Sequence, residues 1–234
     1  NYGSGDKVKE QLTKFGEEVS ALALESAREG RFDEMSKRAQ LVRDFAPGNK
    51  VIGQNLARAD LLEFERNLQN GQTEGATKVA REVREFGADE TQRDLKRLAR
   101  VAYDKRTEAA ANGDEAQAQK YLDVAFALNP NDPKFGPEAI RQRRDALSRD
   151  IQSGNYREAE KTAKSVLELS VDRPSRQLAQ LTNEAKSFVQ NYGRARVVKE
   201  AIRQAGALEE QRDWRKSEAK YEQAIRLGSQ VGLE

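Results

Sequence analysis

The sequence predicts an all-α chain built as an array of antiparallel helical hairpins, and three observations carry that prediction. A short phrase recurs along the chain at nearly constant spacing. Inside each copy, small and apolar residues step by three and four, the period that keeps them on one helical face. The composition, 37 % hydrophobic and 34 % charged with a mean hydropathy of -0.90, suits a thin stack in which each unit buries only a stripe against its neighbours.

The copies are Gly30-Arg31-Phe32 followed by Met35, Ala39, Val42 and Phe45; Gly71-Gln72-Thr73 followed by Ala76, Ala80, Val83 and Phe86; and Gly113-Asp114-Glu115 followed by Ala118, Leu122, Ala125 and Leu128. Gly154-Asn155-Tyr156 leads into Ala159, Ala163, Val166 and Leu169, and Arg212-Asp213-Trp214 into Ser217, Tyr221, Ala224 and Leu227. The glycine permits the left-handed turn that closes the preceding helix, so each copy reads as a turn followed by a second helix. These second helices are expected near residues 32–46, 73–87, 115–129, 156–170 and 214–228. Pro47 and Pro130 stand where a proline ends helical continuation, and Asn131-Asp132-Pro133 reinforces the second stop.

The phrase resembles the second half of the tetratricopeptide motif, matched best by Ala127 through Pro130 and by Gly154-Asn155-Tyr156-Arg157-Glu158-Ala159. The resemblance covers most of the chain in degenerate form. It implies a right-handed α-solenoid of the TPR-like kind. The four glycines stand 41, 42 and 41 residues apart, longer than the family's period of about 34, and the extra residues are expected to lengthen the first helices. One domain over 1–234 is expected, with units at 6–48, 49–88, 89–133, 134–172 and 173–234. Between Gly154 and Arg212 the spacing is 58, so the last unit holds either one very long helix after Pro174 or a further helix. A break near Asn191-Tyr192-Gly193 is the favoured reading.

Catalysis finds little to stand on. Without histidine or cysteine, Ser-His arrangements, thiol chemistry and thiolate zinc sites are excluded. The acidic side chains read as solvating partners of Lys and Arg one helical turn away. Gly3-Ser4-Gly5-Asp6-Lys7 lacks P-loop spacing and reads as a flexible terminal linker. No catalytic group, cofactor or metal is expected. No stretch approaches the ~20 apolar residues of a membrane span, and no apolar signal-peptide core is visible. The compartment stays open. The opening Asn1-Tyr2-Gly3-Ser4-Gly5 and the closing Leu233-Glu234 read as junctions, so a piece of a longer chain is expected.

What remains is surface recognition of a protein or peptide. In tetratricopeptide-like stacks the first helices line the concave face. Thirteen residues before each turn stand Glu17, Arg58, Arg100, Arg141 and Lys199; three residues later come Ser20, Leu61, Tyr103, Arg144 and Ile202. Arg93 and Arg97 extend the third unit's face. The candidate site is therefore Arg58, Arg97, Arg100, Arg141, Arg144 and Lys199 with Tyr103 and Leu61, suited to an acidic partner. An alternative is a solvated face paired to nearby carboxylates. The carboxylate-clamping version of the family is in doubt, because Leu24, Glu65, Thr107, Ser148 and Gly206 stand where inward asparagines would be required. A net charge of +2 and the lack of a repeated base-reading pair argue against nucleic acid. Self-assembly is the remaining alternative, through a C-terminal edge where Trp214 and Tyr221 turn inward while Ile225, Val231 and Leu233 stay near water.

Overall fold

The computed structural model describes residues 3–43, 48–169 and 171–229, the side chains of 3–6, 194–197 and 227–229 excepted. Ten helices and no strand occur among the described residues: α1 (Gly3–Arg28), α2 (Phe32–Arg43), α3 (Lys50–Gln69), α4 (Ala76–Phe86), α5 (Asp89–Ala111), α6 (Glu115–Leu128), α7 (Gly136–Gln152), α8 (Tyr156–Leu167), α9 (Arg176–Glu210) and α10 (Trp214–Ser229). Each odd-numbered helix is longer than the even-numbered helix that follows it.

The five recurring turns share one geometry. At the first, the amide of Gly30 donates to Ala27 O and that of Arg31 to Ser26 O; the same pair of bonds recurs at Gly71, Gly113, Gly154 and Arg212. This is the Schellman closure of a helix end, which needs a residue at positive φ. The four glycines lie at φ between 72 and 82°, and Arg212 takes the same turn at φ 60°. Side chains then start the next helix: Asn49 Oδ1 accepts from Val51 N and Ile52 N, Asp114 Oδ1 from Gln117 N, and Ser175 Oγ from Leu178 N. The second helices stand where expected, except that α4 begins at Ala76 because Gly75, at φ 86°, holds the turn open for three more residues. Ala76, Ala118 and Ala159 are buried, as their recurrent place in the phrase requires. Phe45, Pro47, Ser170, Val231 and Leu233 lie outside the described residues.

Two expectations need correction. Gly3 through Lys7 is the beginning of α1 and not a linker. The favoured break at Asn191-Tyr192-Gly193 is absent too, since α9 runs unbroken from Arg176 to Glu210. Its support comes from two sides in succession. α8 packs on the first half, where Leu178, Leu181 and Ala185 are buried, and α10 packs on the second, where Val198 and Ala201 meet Ala224. At the supposed break Tyr192 stacks on Phe188, ring centres 5.5 Å apart, and meets Tyr156 of α8 at 5.6 Å.

The chain divides into two compact units. The first comprises the chain up to Ala139 together with Leu169–Arg173. In it α1 packs on α2 and α3, α3 on α4 and α5, and α4 on α5 and α6, while α5 and α6 form a hairpin of their own. Its N-terminal core joins Ala23, Leu24 and Ala27 of α1 to Met35, Ala39 and Val42 of α2 and to Ile52, Leu56 and Ala59 of α3. Leu169–Arg173 is held there by Arg84 of α4, whose guanidinium donates to Leu169 O and, at 2.7 Å, to Ala127 O at the C-terminus of α6. Asn131 Nδ2 adds a bond of 2.8 Å to Arg173 O. The second unit holds Ile140–Glu168 and the chain from Pro174 onward.

Candidate recognition face

The turn geometry sets the register of each first helix, and with it the neighbour that each column residue meets. In the first unit Glu17 Oε1 accepts from Asn49 Nδ2 at 3.2 Å. Arg58 of α3 makes a two-pronged contact with Glu90 of α5, Nη1 to Oε2 at 2.9 Å and Nη2 to Oε1 at 3.1 Å. Arg100 of α5 reaches Asp132 through Nε at 3.6 Å. In each case the partner stands 32 residues further on. Two other bridges keep that offset: Glu65 to Arg97 at 2.9 Å, and Arg106 to Glu138 at 2.5 Å. A constant offset means that α1, α3 and α5 run parallel in a fixed register. Within the first unit the basic column is therefore a ladder of clasps between neighbouring helices.

Comparison of equivalent repeat positions does not reveal these partners, because they stand at the starts of the neighbouring elements. Asn49 is the N-cap of α3, Glu90 lies in the first turn of α5, and Asp132 precedes α7. Each is the acceptor that a helix N-terminus favours for its own sake. An acidic or amide residue at the start of a first helix, nine or ten before the next column position, is the signal that would have found them. The clasp raises the Arg58 pKa through its hydrogen bond to Glu90 and lowers that of Glu90 in return. Arg97 is raised likewise by Glu65.

The second row behaves differently. Leu61 is only 3 % exposed and Ser20 is buried, so Leu61 belongs to the core and offers nothing to a partner. Three residues turn a helix by about 300°, which carries this row from the exposed face to its inner edge. Tyr103 is half-buried: its ring stacks on Phe135 at 5.2 Å, lies under Arg106 and Lys134 at 5.6 and 5.1 Å, and its hydroxyl donates to Glu138 at 3.3 Å. What the first unit presents to water is Arg97 and Arg100, the latter 72 % exposed at its side chain. Exposed to this degree, the Arg100 guanidinium has room for a second carboxylate beside Asp132. In the second unit Arg144 pairs with Glu184 at 3.1 Å, while Arg141, Lys199 and Ile202 are exposed. At the C-terminal edge Ile225 is exposed as expected, but Trp214 is 63 % exposed and does not turn inward. It opens α10, and side chains at a helix start lean back past the first turn, here beyond the end of α9.

A second charged cluster lies where α2, α3 and α4 meet. Asp60, buried, accepts from Arg43 and, at 3.3 Å, from Lys78. Glu82 stands 3.7 Å from Arg43 and 3.9 Å from Lys78. Burial pushes the Glu82 carboxyl up to about 7, helped by its hydrogen bond to Asp60 and the repulsion between the two acids. Burial also raises Glu63 nearby.

Among the described residues no group of acidic side chains is arranged to hold a metal, and no helix is long and apolar enough to cross a membrane. No family model, curated protein or solved structure matches the chain.

Proposed function

We propose that the chain is a non-catalytic scaffold, a right-handed TPR-like solenoid whose first helices receive an acidic protein or peptide. The observation that supports this reading is the constant 32-residue offset of the clasps in the first unit, because parallel helices in fixed register set their exposed side chains in rows. Arg97 and Arg100 in the first unit and Arg141, Arg144 and Lys199 in the second are the cations offered, with the exposed edge of Tyr103 as the apolar contact. Clasped arginines are already oriented, so a carboxylate meets a fixed donor with less side-chain entropy to lose. Charge at such a face acts on encounter and register more than on affinity.

The test reverses one exposed arginine in each unit. Arg100→Glu with Arg141→Glu should abolish capture of an acidic partner from native extract while leaving helicity and melting temperature unchanged, and wild-type binding should weaken as salt rises. Capture that survives the double reversal would return these side chains to the role of solvated clasps.

A further inference from the structure

α1 carries a second apolar face that the fold uses only at Val19, which packs on the N-terminal core. Val8, Leu12, Phe15 and Leu22 are between 45 and 54 % exposed, and half-buried Val19 stands among them. Their steps of 4, 3, 4 and 3 confine them to a stripe about 80° wide, the pattern of a coiled-coil seam. The adjoining face, with Gly16, Ser20, Ala23, Leu24 and Ala27, is the one turned to α2 and α3. α1 is thus apolar over two neighbouring faces. Among the described residues its packing partners are α2 and α3 alone.

Charge says what fits the second face. Along the open flank of the stripe stand, in chain order, Lys7, Lys14, Glu18 and Glu25, all exposed, with Lys14 also 2.9 Å from Glu10 one turn earlier. The flank is basic in its first half and acidic in its second. In a parallel two-fold pair the charged flanks of the two α1 helices would fall on opposite sides of the seam and meet no opposite charge. Laid antiparallel about a two-fold axis near Phe15 and Gly16, it sets Lys7 against Glu25 and Lys14 against Glu18 of the other copy, while Val8 meets Leu22 and Phe15 meets Phe15. Both charged pairs are centred on position 16 and the stripe on position 15, so an axis between Phe15 and Gly16 lies within half a residue of each centre.

We infer that the chain pairs with a second copy of itself through an antiparallel contact between the two α1 helices. The contact is isologous, as a two-fold pair requires, and its polarity is written in the charges beside the seam.

Sedimentation of the whole chain over a concentration series should reveal a monomer–dimer equilibrium. Leu12→Glu with Phe15→Glu, both at exposed positions, should raise the dissociation constant at least tenfold without lowering the melting temperature of the monomer. Glu18→Lys with Glu25→Lys should weaken the dimer too, and adding Lys7→Glu with Lys14→Glu should restore it. The chain has no cysteine, so introduced thiols report orientation cleanly. Phe15→Cys should cross-link to itself on oxidation, and Val8→Cys should cross-link to Leu22→Cys in a mixture but not to itself. A monomer at every concentration overturns the inference, as does a dimer that survives the α1 changes and is lost on Ile225→Glu. Self-cross-linking of Val8→Cys overturns the antiparallel arrangement.

Discussion

At Glu82 a carboxyl is removed from water beside another acid, and the two cations nearby, Arg43 and Lys78, already serve Asp60. In the unfolded chain such a group loses its proton near 4.5, whereas in the fold it keeps it up to about 7. Between those values the native state binds more protons than the unfolded one. Stability must therefore fall as pH rises from 4.5 towards 7, and level off above. Glu63, raised in the same sense, steepens the same slope. Because Glu82 keeps an exposed edge that solvent screens, the effect should be about 1–2 kcal/mol and not the full value of its shift. Urea unfolding at pH 5, 7 and 8 should show the decline, and Glu82→Gln should remove most of it. An equal slope in the variant would assign the pH dependence elsewhere. None of this was legible in the sequence, where Asp60 and Glu82 look like any other acids on helices; what sets them apart is that α2, α3 and α4 converge on them.

The helical hairpins were legible for a local reason. A Schellman turn is closed by two bonds between residues no more than five apart, so its chemistry is confined to the phrase that repeats, and the second helix follows from it. Arg212 is the informative exception, a side chain with a Cβ at φ 60° where four glycines stand in the other copies. Arg212→Gly should stabilise the chain by about 1 kcal/mol, the cost of holding an L-residue in that region, as read by a rise in denaturation midpoint; a fall would mean that the arginine side chain contributes more than its backbone loses. The break once expected in α9 failed because Asn-Tyr-Gly is a stop only if nothing packs across it, and α8 and α10 both flank this helix. A Cβ at Gly193 would touch nothing within 4 Å. Gly193→Ala should accordingly stabilise by about 0.5–1 kcal/mol. Were Gly193 a left-handed stop, the same change would destabilise, so thermal melts of the variant separate the two structures.

Over the whole molecule, the period and the register come from different sources. The period of 41 or 42 is a property of the chain and could be counted, whereas the offset of 32 between clasped residues depends on how far each first helix slides along the next. That sliding is set by long-range packing of alanines and leucines that carry no label for it. For that reason the column Glu17, Arg58 and Arg100 was found, but its partners were not, and Leu61 was placed on the surface when the fold buries it. Likewise the chain reads as five similar repeats, yet its contacts gather into two bodies, the boundary falling within α7.

That boundary bears on how the protein is made. The first body takes in Leu169–Arg173, which leaves the ribosome after α7 and α8 have been added. At ~5–20 residues per second, roughly 2–7 s separate the emergence of Ala139 from that of Arg173. Until Leu169 emerges late in that interval, Arg84, a cation whose pKa burial lowers, can cap α6 but lacks its bond to Leu169. A one-way array could finish each layer as it emerges. This nascent chain must instead wait, with its first body one strap short of complete, until part of the second has been synthesised.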